Sequence, residues 1–160
     1  MLETIAVVGD LLALGVLALL AVLPGAVAGL LWSPLLLSDR LSELFRRLPP
    51  TGSTAANYSL VAVALSLPWV FGAIAAIAGA PSDPAGTSNA LLNLTVPLAA
   101  AYVVGLPLVA GVGLPRLGVD WDPTGYGPGT WLLLVVGAAW YAAVFALPLF
   151  AFALVAALPT

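Results

Sequence analysis

Asp120-Trp121-Asp122-Pro123-Thr124-Gly125 is the stretch whose residue types and spacing come nearest to chemistry. Oxygen-bearing side chains at positions 1, 3 and 5, then a glycine for the sharp turn, form the first half of a calcium-binding loop. The second half fails, because position 12 needs a bidentate glutamate and holds Trp131. Asp-Pro and Thr-Gly pairs read equally well as a turn between two helices, so no metal is expected there. The other candidate is Asp10, the only ionisable residue inside an apolar run. It lies about eight residues from that run's centre near Ala18, or roughly 12 Å along a helix axis. The stripe it shares with Ala6, Ala13, Leu17 and Ala21 is mostly small, the mark of a side that faces other helices. Asn93 and Thr95 enter from the same side of the bilayer at comparable depth. Asp10 is therefore expected to point into the bundle and hydrogen-bond one of them, at what could be the mouth of a proton or cation path.

Other fragments carry less. Gly9-Asp10 matches half of the intramembrane aspartyl protease signature, but that chemistry needs two carboxylates sharing a proton, and the spans hold one acid. Thr124-Gly-Tyr-Gly127 matches part of a potassium-channel filter. A filter needs a re-entrant helix before it, and residues 114–119 are too short and too proline-bounded to supply one. Asn57-Tyr-Ser59 and Asn93-Leu-Thr95 fit the N-glycosylation pattern, yet one falls on the cytoplasmic side and the other inside a span. The chain has no histidine, cysteine or lysine. That removes the usual general base near neutral pH, thiolate chemistry and Schiff-base chemistry. The reading is a non-enzyme without cofactor, metal or nucleic-acid partner.

The elements that hold these residues are apolar. The chain is 62% hydrophobic and 7% charged with mean hydropathy +1.15, so lipid must cover much of its surface. Arginine as the only base, with a net charge of −3, resembles the composition of membrane proteins from extreme halophiles. Runs of about 20 apolar residues suffice to cross a bilayer, and four are present, over 5–32, 58–79, 91–114 and 130–158. The small-x-small triplet Ala26-Val27-Ala28 looks like a signal cleavage site, but the preceding region carries Glu3 and no positive charge, so the first run is expected to remain. Each run carries a proline, at Pro24, Pro68, Pro97, Pro107 or Pro148, which membrane helices tolerate. Gly25 and Gly29 form a small-xxx-small motif that lets helix backbones approach closely. Residues 51–57 read as a short polar loop, and 80–89 and 115–129 as connections containing Gly and Pro.

Between the first two runs, Leu37, Leu41, Leu44, Phe45 and Leu48 recur with helical period, opposite Asp39, Arg40, Glu43, Arg46 and Arg47. This predicts one amphipathic helix over about 34–48, with Ser33 accepting from its first turn, Pro34 at its first position and Pro49-Pro50 ending it. It should lie in a membrane interface. Four spans place segments 33–57 and 115–129, with Arg40, Arg46, Arg47 and Arg116, on one side. The positive-inside rule makes that side cytoplasmic and both termini external. At least one Arg–Asp contact from this helix to Asp120 or Asp122 is expected, anionic lipid being the alternative partner for the arginines.

The expected architecture is an all-α bundle of four transmembrane helices in a single domain, with one cytoplasmic interfacial helix. Packing motifs outnumber chemical ones. The leading reading is a non-catalytic accessory or structural subunit of a membrane complex, with lipid, other subunits or its own copies as partners. The other is a small oligomeric transporter or channel using Asp10 and the proline-broken helices. A dry, tightly packed interior would favour the first, and a continuous polar path the second.

Overall fold

The computed structural model describes residues 2–81 and 83–158; side chains at 2–8, 10, 11, 13, 14, 17 and 84 lie outside that description. Four long helices dominate: α1 (Leu2–Trp32), α3 (Thr54–Gly79), α4 (Pro84–Leu108) and α5 (Pro128–Ala156), with the short α2 (Asp39–Arg47) between the first two. No strand occurs among the described residues. Their capping is local. Ser53 accepts from the Ala56 N–H, so α3 begins at Thr54 instead of 58. Asp83 accepts from the Gly86 N–H with Pro84 at the first helical position. Most of the expected 80–89 turn is therefore the first turns of α4.

Beyond Leu108, α4 continues through a π-helical segment, Val109–Gly113, and a last turn, Leu114–Arg116. Here the Leu114 N–H donates to the Val109 carbonyl, five residues back. The next donor in that register would be Pro115, which has none, so the Ala110 carbonyl is left free within the helix. The Trp121 indole satisfies it, Nε1 donating to Ala110 O at 2.7 Å.

Close approach of α1 and α3 is built on glycine. A Cβ at Gly25 would sit 2.7 Å from Val63 Cα, and one at Gly29 would sit 3.2 Å from Ala62 Cβ. The small-xxx-small pair thus packs helices within the chain. α4 and α5 run antiparallel, with Gly111 against the Trp131 ring and Tyr102 stacked on Tyr141 at 6.2 Å. The core is aromatic: Trp32 stacks on Tyr58 at 5.5 Å and meets Phe45 and Tyr141 edge-on, and Trp69 stacks on Phe145 at 5.7 Å. Tyrosine hydroxyls donate to helix carbonyls, Tyr58 to Gly29, Tyr102 to Leu65 and Tyr141 to Ala62.

The 34–48 segment differs from the single helix expected. Residues Ser33–Leu37 form a 3-10 helix, the chain extends at Ser38, and α2 starts anew at Asp39. Pro34 does stand at the start of the 3-10 turn, but Ser33 Oγ donates to the Leu30 carbonyl at 2.7 Å instead of accepting from the turn that follows. The apolar side of α2 faces protein: Leu41, Leu44 and Phe45 are buried. Asn57, inside α3 and 1% exposed, donates to the Phe45 and Leu48 carbonyls and so ties α2 to the bundle. Those bonds, and its burial, exclude Asn57 as a glycan acceptor in the folded protein.

Candidate functional site

The polar residues converge where α2 meets the 117–127 loop and the start of α5. The α5 N-cap is Gly127, which has no side chain to cap with; Pro128 and Gly129 follow, and Thr130 is fully buried. Thr130 Oγ1 donates to Asp122 Oδ2 at 2.5 Å and accepts from Arg40 Nη1 at 3.0 Å. Asp122 Oδ1 accepts from the Thr124 N–H at 3.0 Å and its hydroxyl at 2.8 Å, the Asx turn that Asp-Pro-Thr-Gly favours. Gly125, with φ +81°, completes the turn in a conformation that needs glycine.

The expected direct Arg–Asp contact is not formed, because a threonine stands between the two charges. Arg40 reaches Asp122 through the Thr130 hydroxyl, and among the described residues no arginine forms a direct ion pair with Asp120 or Asp122. The reason is steric order: α5 begins between the two charges, and its buried threonine can both accept and donate. Burial pushes the Asp122 carboxyl up, but hydrogen bonds from Thr130 and Thr124, with the Arg40 charge behind them, outweigh it and hold it below its ordinary value.

Asp120 turns elsewhere. Its Oδ1 accepts from the Tyr126 hydroxyl at 2.8 Å, and that hydroxyl accepts from the Trp121 N–H at 3.3 Å. Burial, then the Asp120 carboxylate, raises the Tyr126 hydroxyl above its ordinary value. The two carboxylates of the calcium-like stretch thus bind separate partners, and no cluster of three or more metal-ligating side chains occurs among the described residues. On α2, Glu43 accepts from Arg46 Nε at 2.7 Å and from Arg47 Nε at 2.7 Å. The Arg47 and Arg46 hydrogen bonds hold its carboxyl below the usual range. A polar cleft of about 830 Å³ lies between this face of α2 and the loop, reached by Arg40, Glu43, Arg46 and Thr124.

Of the intramembrane candidates, only Asn93 and Thr95 fall among the described side chains. The Asp10 side chain lies outside the described residues, so its pairing does too. Asn93 is exposed, whereas Thr95 is 3% exposed and its hydroxyl has no partner among the described residues. Sequence reasoning missed Thr130, Tyr126 and Asn57. Of these, only Thr130 carried a local signal, a threonine three residues past a glycine that cannot cap.

The fold and this polar end define a class: an all-helical protein with four helices long and apolar enough to cross a membrane, over Ala18–Leu37, Thr54–Gly79, Ala85–Arg116 and Pro128–Ala156. Residues 12–160 match the family described as domain of unknown function DUF8162, and the chain belongs to that family. No curated protein and no solved structure matches it.

Proposed function

We propose that this chain is a polytopic membrane protein with a non-catalytic role, an accessory or structural subunit of a larger membrane complex. One contrast carries the reading. Large apolar side chains stand exposed around the helices, Leu30 at 75%, Leu147 at 67% and Leu19 at 65%, while Arg40, Glu43, Asp120 and Asp122 are engaged with one another's neighbours within the chain. An exterior of that kind suits lipid and partner helices. The aromatic interior, with tyrosine hydroxyls bonded to helix carbonyls, supports packing as its purpose over passage of a solute.

In this reading the arginine-bearing end faces the cytoplasm and both termini face out. α2 lies at the membrane boundary, its apolar side on the bundle and Asp39, Arg46 and Arg47 turned to water and headgroups. Purification of the tagged chain in mild detergent tests the role. The expected result is one membrane protein recovered in fixed stoichiometry, which recovers this chain in turn when it is the tagged partner. A chain that purifies alone and lets protons or cations cross proteoliposomes would replace this reading with the transport one.

A further inference from the structure

Beneath the apolar side of α2 lies a cavity of about 240 Å³ whose thirteen lining residues are all apolar or aromatic. Leu44 and Phe45 of α2, Val61 of α3, Val109 of α4 and Ala138 of α5 all contribute to its lining. The one polar atom on a lining side chain, Trp32 Nε1, is consumed by the Gly137 carbonyl at 2.9 Å. Water needs two to four polar partners and finds none on such walls, whereas a dry cavity of about 150 Å³ already accepts benzene. By that scale this space holds an apolar chain on the order of ten carbons long.

The cavity lies at the end of the α3–α4 interface away from the 80–83 turn. Nearer the turn, Leu94 packs on Gly72 and the Tyr102 hydroxyl reaches the Leu65 carbonyl. Towards the arginine end, Val61 and Val109 line the cavity, and Val109 is 57% exposed. Val109 thus connects the cavity to the surface read above as lipid-facing. Two arginines stand close to its lining at the arginine end, in a chain of net charge −3. Arg47 directly precedes the lining residue Leu48, and Arg116 follows the lining residue Leu114 by two positions. Both arginines are exposed; Arg47 is paired with Glu43 at 2.7 Å, whereas Arg116 has no ion-pair partner among the described residues and carries the uncompensated charge.

We infer that this cavity is a lipid site: it takes one acyl chain of an anionic phospholipid from the leaflet at the arginine end, with the headgroup phosphate held at Arg116. The walls exclude a polar guest, and the unpaired Arg116 selects the headgroup charge. The inference rests on the membrane reading above.

The test uses the full chain in vesicles containing a phosphatidylglycerol with a photoactivatable diazirine in its acyl chain, with adducts mapped by mass spectrometry. Bulk lipid reaches Leu147 and Phe150, but Leu44 and Phe45 are at most 7% exposed and only a guest in the cavity would label them. Labelling of Leu41, Leu44 or Phe45 that unlabelled phosphatidylglycerol competes away is the expected result, several-fold above that from the matching phosphatidylcholine probe. Ala138→Leu and Ala110→Phe fill the cavity from different walls, and either should cut that labelling several-fold; R116Q should erase the headgroup preference. Adducts confined to outward residues, or a folded filling variant that keeps the label, would overturn the lipid site alone. A chain that alkaline washing strips from the vesicles would overturn the membrane reading itself.

Discussion

Asp122 shows how one buried carboxylate organises the arginine end. It is 3% exposed, accepts from Thr130 and Thr124, and draws Arg40 in through Thr130. Asp122→Asn replaces a charged acceptor by an amide that must turn one N–H towards a group already donating. We expect a loss of about 1–3 kcal/mol, read as a lower unfolding midpoint in detergent. The pH dependence follows from the depressed carboxyl. Its stabilisation is complete above its ordinary value of 3.8 and is lost as pH falls through the lower folded value. Wild type and variant should therefore differ most near neutrality and converge once pH falls below the lowered folded value. Glu43 titrates low as well, so the difference between the two proteins, not the wild-type curve, isolates Asp122. A gap that persists undiminished in acid would assign the effect to packing.

At the scale of elements, glycine placement decides which helices touch. Gly25 and Gly105 both sit inside long helices, and their surroundings differ. An alanine Cβ at 25 would meet the Val63 backbone at 2.7 Å, where no side chain can swing away, whereas nothing lies within 4 Å of one at 105. Gly25→Ala should force α1 from α3 and cost about 1–3 kcal/mol. Gly105→Ala should be neutral or stabilising by up to about 1 kcal/mol through helix propensity. Thermal unfolding of the pair in one detergent checks both signs. The prolines show a different accommodation. Pro115 removes the donor that the π register would offer to the Ala110 carbonyl, and Trp121 supplies a donor from the following loop.

For the whole molecule, the decisive property is sidedness. The Arg40–Thr130 bond joins segments 90 residues apart and places the 33–53 and 117–127 connections at one end, the 80–83 turn at the other. If arginine sets orientation, a reporter inserted at the exposed turn glycine Gly52 or Gly118 should be protected inside intact cells, and one fused after Thr160 accessible from outside. The reverse pattern of accessibility would invert the proposed topology and move the lipid site to the other leaflet.

The four long helices were legible in the sequence because uninterrupted apolar runs near bilayer length carry their own signal, and prolines within them did not obscure it. So was the gathering of all four arginines at one end, since an even number of crossings leaves only that arrangement of connections. Helix starts at Thr54 and Pro84 were less visible, because Ser53 and Asp83 cap polar first turns that composition alone assigns to loops. The apolar period of α2 announced that one side must be covered; it could not say whether protein or lipid would cover it. Tertiary structure decided that by bringing Asn57 beneath the end of α2 and the bundle against Leu41, Leu44 and Phe45. It also decided that Arg40 meets Thr130 rather than Asp122, because the partner of a long side chain depends on how α2 and the start of α5 are rotated and set against each other. Periodicity along one helix reports which of its sides needs company. Distances between helices, and the cavity left beneath α2, exist only once the helices are packed.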